Sequence, residues 1–292
     1  MRLSVLGTGL LGSEIALRLK AQGFAVSAWN RTADKAAPLA SAGIVLPGSV
    51  AGAIAAADAV LLLLADAAAI EATLFAEDTA PALAGRTIVQ MGTIAPSESR
   101  ALATRIMAAG GQYLEAPVLG SLPEARAGKL FVMAGGDAAL YARCLPVFEA
   151  LSETPQRIGD VGQAAALKLA LNQLIAGLTT TFCLSLGLVR QEGLDVEQFM
   201  TVVRGSALYA PTFDKKLDKY LAHDYASANF PLKHLLKDVR LMEAVMAEAG
   251  IDTSTLQAIA AAAERGVEAG LADADYSALY EPLTHKGRGA SG

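Results

Sequence analysis

Arg2-Leu3-Ser4-Val5-Leu6-Gly7-Thr8-Gly9-Leu10-Leu11-Gly12 is the stretch whose reading decides the fold. A short apolar run leads into a glycine turn, and a helical pattern follows from Gly12 to Ala21 and stops at Gly23. The spacing G-x-G-x-x-G, placed after a strand and opening a helix, is the form of a dinucleotide-binding turn. Gly7 permits the tight turn, Gly9 lets the backbone approach a pyrophosphate, and Gly12 lets the helix pack close to the sheet. The helix N-terminus offers free N–H groups and the positive end of its dipole to phosphates. The whole turn, Gly7, Thr8, Gly9, Leu10, Leu11 and Gly12, is therefore a candidate cofactor-binding segment.

The second strand, Phe24 to Trp29, ends at Asn30-Arg31-Thr32. A site for NAD usually carries Asp or Glu at this position, where it holds the ribose hydroxyls. No carboxylate stands here to repel a 2′-phosphate. The Arg31 guanidinium can face that phosphate and Thr32 can donate a hydrogen bond to it. Asn30, Arg31 and Thr32 join the cofactor-binding set, and the expected cofactor is NADP, with NADPH preferred over NADH.

Beyond this point apolar runs and helical patterns alternate. Short strands are expected at Val60 to Leu64, Thr87 to Met91, Gln112 to Leu114 and Leu130 to Ala134, with a turn at Gly135-Gly136-Asp137. Strands alternating with helices imply βαβ units and a parallel sheet. The character changes at Gln163. From there to Glu192 no proline occurs, and apolar residues recur at helical spacing through Leu167, Leu171, Leu174, Leu178 and Phe182. A helix of that length runs roughly 45 Å, and Gly193 supplies its stop. Further helices are expected at Val196 to Val203, Leu235 to Ala249 and Leu256 to Ala269, with no strand pattern. The fold class is α/β. A Rossmann-type dinucleotide-binding domain (1–162) is joined by a long helix to an all-helical domain (163–292) for substrate binding and oligomerisation. The tail Gly287 to Gly292 is small and polar and is expected to fray.

Composition excludes several classes. The 292 residues carry 24 basic and 29 acidic side chains, a net charge of −5, which makes no broad electrostatic claim on nucleic acid or on an anionic membrane. With 53% hydrophobic and 18% charged residues, the chain has ample material for a core. The apolar stretch Val50 to Leu64 is broken by Asp58 and is too short to span a bilayer. The basic start at Arg2 leads into glycine-rich sequence and not into the apolar run of a secretory signal. Cys144 and Cys183 form no CxxC pair, so both are expected to be ordinary thiols in a cytoplasmic protein. The histidines, His223, His234 and His285, have no spacing that ties them to the glycine turn, and no ligand cluster for a metal is evident.

Four motifs in order resemble the β-hydroxyacid dehydrogenase family, which includes 3-hydroxyisobutyrate dehydrogenases and glyoxylate/succinic semialdehyde reductases. Gly7 to Gly12 with Asn30-Arg31-Thr32 is similar to its NADP-preferring members. Glu115-Ala116-Pro117-Val118-Leu119-Gly120-Ser121 resembles its substrate-binding segment. Gly159-Asp160-Val161-Gly162 leading to Lys168 and Asn172 resembles its catalytic segment. Phe230-Pro231-Leu232 followed by Lys237-Asp238 resembles its C-terminal cofactor-closing segment. The resemblance covers nearly the whole chain.

The resemblance implies interconversion of a small β-hydroxy acid with its semialdehyde or keto acid, through hydride exchange with the nicotinamide and one proton transfer. Lys168 is the candidate general acid and base. Its neighbours Ala164, Ala165, Ala166, Leu167, Leu169 and Ala170 are apolar, and loss of solvation there favours the neutral amine. Asn172 lies four residues on, on the same helix face, where its amide can orient the substrate. Leu119, Gly120 and Ser121 form the candidate substrate turn, with a backbone nest for a carboxylate. Lys237 is a cation for substrate or cofactor, or the partner of Asp238. Thr93 is placed for the nicotinamide ribose and Phe230 for the nicotinamide side of the site. The expected partner is a small carboxylate-bearing aldehyde or hydroxy acid, with no nucleic acid and no membrane. Apolar residues on more than one face of the long helix point to self-association, and the resemblance implies a homodimer or homotetramer.

Three departures bear on the substrate. Leu119 stands where the family usually has Ser. Gln163-Ala164 follows Gly162 where a further glycine is usual. Gln90-Met91-Gly92-Thr93 differs from the family's Asp-x-Ser-Thr turn at Gln90 and Gly92. Imine reductases share the architecture and usually lack the lysine; Leu119 favours that alternative and Lys168 opposes it. A cofactor-bound sensor without turnover would have no need of the Lys168–Asn172 pair.

Overall fold

The computed structural model describes residues Met1 to Thr284, so His285 and the tail lie outside the described residues. The chain forms two compact units that divide between Leu169 and Ala170.

The first unit is built on strands β1 (Arg2–Leu6), β2 (Ala25–Trp29), β3 (Ala59–Leu62), β4 (Thr87–Gln90), β5 (Gln112–Glu115), β6 (Val118–Leu119), β7 (Phe131–Gly136) and β8 (Gln156–Gly159). Their order is β2-β1-β3-β4-β5-β7-β6, with β8 also paired to β7. The five strands from β2 to β5 are parallel, β7 runs antiparallel to β5 and β6, and β8 is parallel to β7. Helices α1 (Leu10–Ala21), α2 (Val50–Ala55), α3 (Ala67–Leu74), α4 (Pro96–Ala108), α5 (Leu122–Ala127) and α6 (Ala138–Leu151) connect them. Alternate residues of the central strands feed two separate cores. Leu3, Val5, Ala59 and Leu61 enter one, and Leu6, Val60 and Leu62 enter the other. Burial on both faces is why these strands read as continuous apolar runs without alternation. The chain reverses direction across the sheet between β1 and β3, and in doubly wound sheets ligands bind at such a reversal, outside the carboxyl ends of the strands.

The glycines at 135 and 136 are strand, not turn. Gly135 pairs with Glu115 and Gly136 with Leu114. A Cβ at Gly135 would lie 2.5 Å from Glu115 Oε1, and one at Gly136 would lie 2.8 Å from Leu114 Cδ2. Glycine is there to make room for two neighbouring side chains, and Asp137 then caps α6 by accepting from the Leu140 N–H at 2.8 Å.

Helix α7 (Gln163–Gln191) runs across the division between the units. It is long and apolar enough to cross a membrane by composition, but Ala176, Phe182, Cys183, Leu186 and Val189 are buried as core. The second unit continues with α8 (Val196–Arg204), α9 (Pro211–Ala222), α10 (Leu232–Glu248), α11 (Ser254–Gly266) and α12 (Tyr280–Thr284). Among its described residues there is no strand, only an isolated bridge between Pro231 and Asp275. Phe182 stacks on Phe213 at 4.4 Å between ring centroids, inside a core that also holds Met200 and Tyr220. Helix α9 escaped the sequence reading because three lysines and two aspartates mask its buried Phe213, Leu217 and Tyr220. Its Pro211 begins the helix, where a missing N–H costs nothing.

Candidate active site

Three strand ends of the first unit meet around Gly7. The Gly7 N–H donates to Trp29 O at 2.9 Å, and its φ of +102° is open to glycine but not to L side chains. A Cβ there would lie 2.4 Å from Leu63 O, just past β3. A Cβ at Gly12 would lie 1.9 Å from Gly7 O, so α1 can pack against the turn only with glycine there. Around Gly9, by contrast, nothing lies within 4 Å of a Cβ position, which leaves an open cradle. Gly9 is the N-cap of α1 and no side chain caps that helix. The hydroxyl of Thr8 is buried with no hydrogen-bond partner. An uncapped helix start, an orphaned hydroxyl and an open cradle are the features a pyrophosphate would satisfy. Leu10 is exposed beside the cradle, while Leu11 packs on the core.

Asn30 serves the turn itself. Its Oδ1 accepts from the Thr8 N–H at 3.1 Å and its Nδ2 donates to Thr32 O at 2.9 Å. It thereby ties the glycine turn to the loop after β2, leaving Arg31 and Thr32 exposed. The turn after β4 is held in a similar way by Gln90, which is buried. Its Oε1 accepts from the Gly92 N–H at 3.0 Å and its Nε2 donates to Gly92 O at 3.1 Å. Glycine at 92 follows from the fold, since a Cβ would lie 2.9 Å from Leu64 O. Thr93 comes next, partly exposed.

In the substrate-like turn, Leu119 ends β6 and is partly exposed. Gly120 has φ +129°, and a Cβ there would lie 2.7 Å from Leu130 Cδ2. Ser121 caps α5, and its N–H and hydroxyl both donate to Glu124 Oε2, at 2.8 and 2.6 Å. Helix α7 starts after Gly162, whose φ is +100°. Its first-turn amides are met by the Glu115 carboxylate, and Lys168 follows, half-buried, in the next turn.

Within the second unit, Asn172 is buried and its Nδ2 donates to Asp238 Oδ2 at 2.8 Å. Asp238 is buried too, and its Oδ1 lies 2.9 Å from Lys237 Nζ. Asn172, Asp238 and Lys237 thus form one linked group; the sequence named Asp238 only beside Lys237, and its bond to Asn172 is what the structure adds. Phe230 lies 5.8 Å from Tyr276 and 6.4 Å from His234, ring to ring. The segment leading into α10 is anchored by Asp275, which accepts from the Asn229 N–H at 3.2 Å and from Lys216 Nζ at 2.7 Å. Lys216 and Asp275 were not singled out in the sequence; only their 59-residue separation in a buried pair reveals them. Burial pushes the Cys144 thiol up to about 11 and Cys183 up to about 12, so neither is a thiolate at neutral pH.

Two family models and several known proteins match nearly the whole chain. Residues 2–162 match the family model for the NAD binding domain of 6-phosphogluconate dehydrogenase. Residues 162–283 match the model described as NAD-binding of NADP-dependent 3-hydroxyisobutyrate dehydrogenase. Glyoxylate/succinic semialdehyde reductase 1 of Arabidopsis thaliana is 30% identical, over 97% of this chain and 98% of that protein. The chloroplastic reductase 2 of the same plant is 32% identical, over 95% of this chain and 78% of that protein. Among solved structures, the fold is similar to that of Mycobacterium tuberculosis 3-hydroxyisobutyrate dehydrogenase with L-serine, with a TM-score of 0.85, 22% identity, and coverage of 98% of this chain and 100% of that one. An imine reductase from Myxococcus stipitatus in complex with NADP+ is similar at a TM-score of 0.68 and 23% identity, over 97% of this chain and 100% of that one.

The chain belongs to the β-hydroxyacid dehydrogenase family. It is a nicotinamide-dependent oxidoreductase acting on the CH–OH group of its donors.

Proposed function

We propose that the protein is an NADPH-preferring reductase of a small aldehyde-acid or keto acid, such as succinic semialdehyde or glyoxylate. The reverse reaction would be oxidation of the matching β-hydroxy acid. The observation that carries this reading is the pairing on α7 of half-buried Lys168 with Asn172, one turn on and already oriented by Asp238. Bound nicotinamide supplies hydride chemistry. The chain's own residues do the rest. The glycine turn and the α1 N-terminus hold the pyrophosphate, and Arg31 and Thr32 meet the 2′-phosphate. Thr93 and Phe230 bear on the nicotinamide end. Lys168 as an ammonium gives its proton to the carbonyl oxygen in reduction, and as an amine takes the hydroxyl proton in oxidation. Asn172 and the Leu119-Gly120-Ser121 turn orient the substrate, and Lys237 offers a cation to substrate or cofactor.

NADPH and NADH consumption by pure protein tests this, against glyoxylate, succinic semialdehyde, tartronate semialdehyde, methylmalonate semialdehyde and one cyclic imine. NADPH-dependent turnover of an aldehyde-acid supports the proposal. Turnover of the imine alone transfers the reading to an imine reductase. Leu119 favours that second reading, because it removes a hydroxyl from the substrate turn.

Two further features belong to the proposal. Leu174, Leu184 and Leu188 on α7 are 60, 52 and 64% exposed, and this apolar surface supports a homodimer or homotetramer. Light scattering on the purified protein decides it, and a monomer would overturn it. Two buried free thiols fit a reducing, cytoplasmic compartment; fractionation of the source cells checks that.

A further inference from the structure

The Glu115 side chain is the most thoroughly buried carboxylate near the start of α7, and the reaction outlined above makes no use of it. It is 1% exposed at the carboxyl end of β5. Its Oε1 accepts from the Ala164 N–H at 2.8 Å and the Ala165 N–H at 3.2 Å. Its Oε2 accepts from Ser99 Oγ at 2.5 Å, and that hydroxyl also lies 2.7 Å from the Tyr113 hydroxyl. All three donors are neutral. A carboxylate removed from water and given only neutral donors is costly unless a field compensates it. Here the compensation is the positive end of a 29-residue helix, which the carboxylate faces through its first-turn amides. The site is built for this contact, since the cross-strand residue is Gly135 and any Cβ there would meet Oε1 at 2.5 Å.

We propose that Glu115 is a positioning residue for Lys168: its carboxylate clamps the first turn of α7 to the end of β5 and so sets where the lysine ammonium sits relative to the cofactor-binding edge of the sheet. The lysine is three residues past Ala165, so it moves with that turn as a rigid body. The carboxyl end of β5 is itself tied to β4, because the Ala116 N–H donates to Gln90 O at 2.7 Å, and Gln90 shapes the turn that carries Thr93. One chain of contacts therefore joins the ribose-facing turn, the carboxylate and the start of the lysine's helix. The proposal rests on the reading of Lys168 as the proton-transfer group.

The test compares wild type, Glu115→Ala, Glu115→Gln, Lys168→Ala and the Glu115→Ala/Lys168→Ala double variant. Rates are taken with NADPH and succinic semialdehyde, and folded sites are counted by NADPH fluorescence titration. Glu115→Ala is expected to lower kcat per folded site by about ten- to a hundred-fold, the scale of a misplaced catalytic group. Its KM for NADPH should stay within about twofold, since the glycine turn is untouched. Glu115→Gln keeps an acceptor for the two amides and a donor for Ser99, and is expected to recover most of the rate. In the Lys168→Ala background, Glu115→Ala should add almost nothing, because it acts through the lysine. Unchanged kcat in Glu115→Ala, or the same fold-loss in both backgrounds, overturns the clamp while leaving the lysine's role intact. Full turnover by Lys168→Ala overturns the lysine's role, and the clamp with it. Should Glu115→Ala not fold, Ser99→Ala decides: a several-fold drop in kcat at constant KM supports the clamp, and a wild-type kcat overturns it.

Discussion

Asn172 and Asp238 are 66 residues apart in the chain and joined by a 2.8 Å hydrogen bond in a buried setting. Because the carboxylate takes one amide hydrogen of Asn172, the side chain is held in a single orientation. Asp238 lies on α10, where its neighbour Lys237 is its ion partner. A buried donor that loses its acceptor costs about 1–3 kcal/mol. Asp238→Ala should therefore lower unfolding stability by about that amount in urea titration, and lower kcat with it.

Lys168→Ala should cut kcat by about 10²- to 10⁴-fold, the usual contribution of a general acid or base. The lysine is not part of the phosphate cradle, so NADPH affinity measured by fluorescence should barely change. Retention of most activity would remove Lys168 from the proton-transfer role.

Arg31 and Asn30 should separate in a cofactor assay. Arg31→Ala is expected to lower the NADPH over NADH preference by about ten- to a hundred-fold, the worth of roughly 1.5–3 kcal/mol for a charged hydrogen bond. Asn30→Ala breaks the tie between the glycine turn and the β2 loop, and should weaken both cofactors by a similar factor. The ratio of kcat/KM for the two cofactors checks this. An unchanged ratio in Arg31→Ala would sink the assignment of Arg31 to the 2′-phosphate.

Gly92→Ser makes the turn more like the family's, yet it should destabilise this chain. Its Cβ would press on Leu64 O at 2.9 Å, and the Gln90 bracket around Gly92 would have to open. A loss of about 1–3 kcal/mol is expected, as for other overpacked positions, readable as a lower Tm by calorimetry.

Lys216 and Asp275 are both nearly inaccessible, at 3 and 0% exposure. Lys216→Met leaves the Asp275 carboxylate buried without its cation and should cost about 3–5 kcal/mol. Burial pushes the Asp275 carboxyl up, but the Lys216 ammonium and the Ser277 hydroxyl and amide outweigh it and hold it below its ordinary value. The stabilisation this gives is complete above the unfolded carboxyl value of about 4. It declines as the pH falls through the lower folded value. Urea unfolding of wild type and Asp275→Asn between neutral pH and strong acid should show a shallower acid loss in the variant. The same slope in both would contradict the pairing.

Much of the first unit was legible because its signals are local. Strand, turn and helix are contiguous from Arg2 to Ala21, and the backbone demands at Gly7 and Gly12 are written where they act. The long helix was legible from its uninterrupted apolar spacing, and four ordered motifs carried the family. Other elements were hidden for identifiable reasons. β6 has two residues, β8 reads as polar, and α9 buries an apolar stripe beneath lysines and aspartates.

The sequence by itself determined the class of fold and the place of the glycine turn, because each depends on residues within one or two turns of one another, and the family resemblance made Lys168 and Asn172 candidates. Only the tertiary structure decided the buried pairings. Glu115 meets α7 across 49 residues, Asp238 reaches Asn172 across 66, and Lys216 finds Asp275 across 59. A buried charge is tolerated only where the fold supplies its donors or counter-ion. Those partners come from other elements, so no window of sequence contains both halves of the interaction.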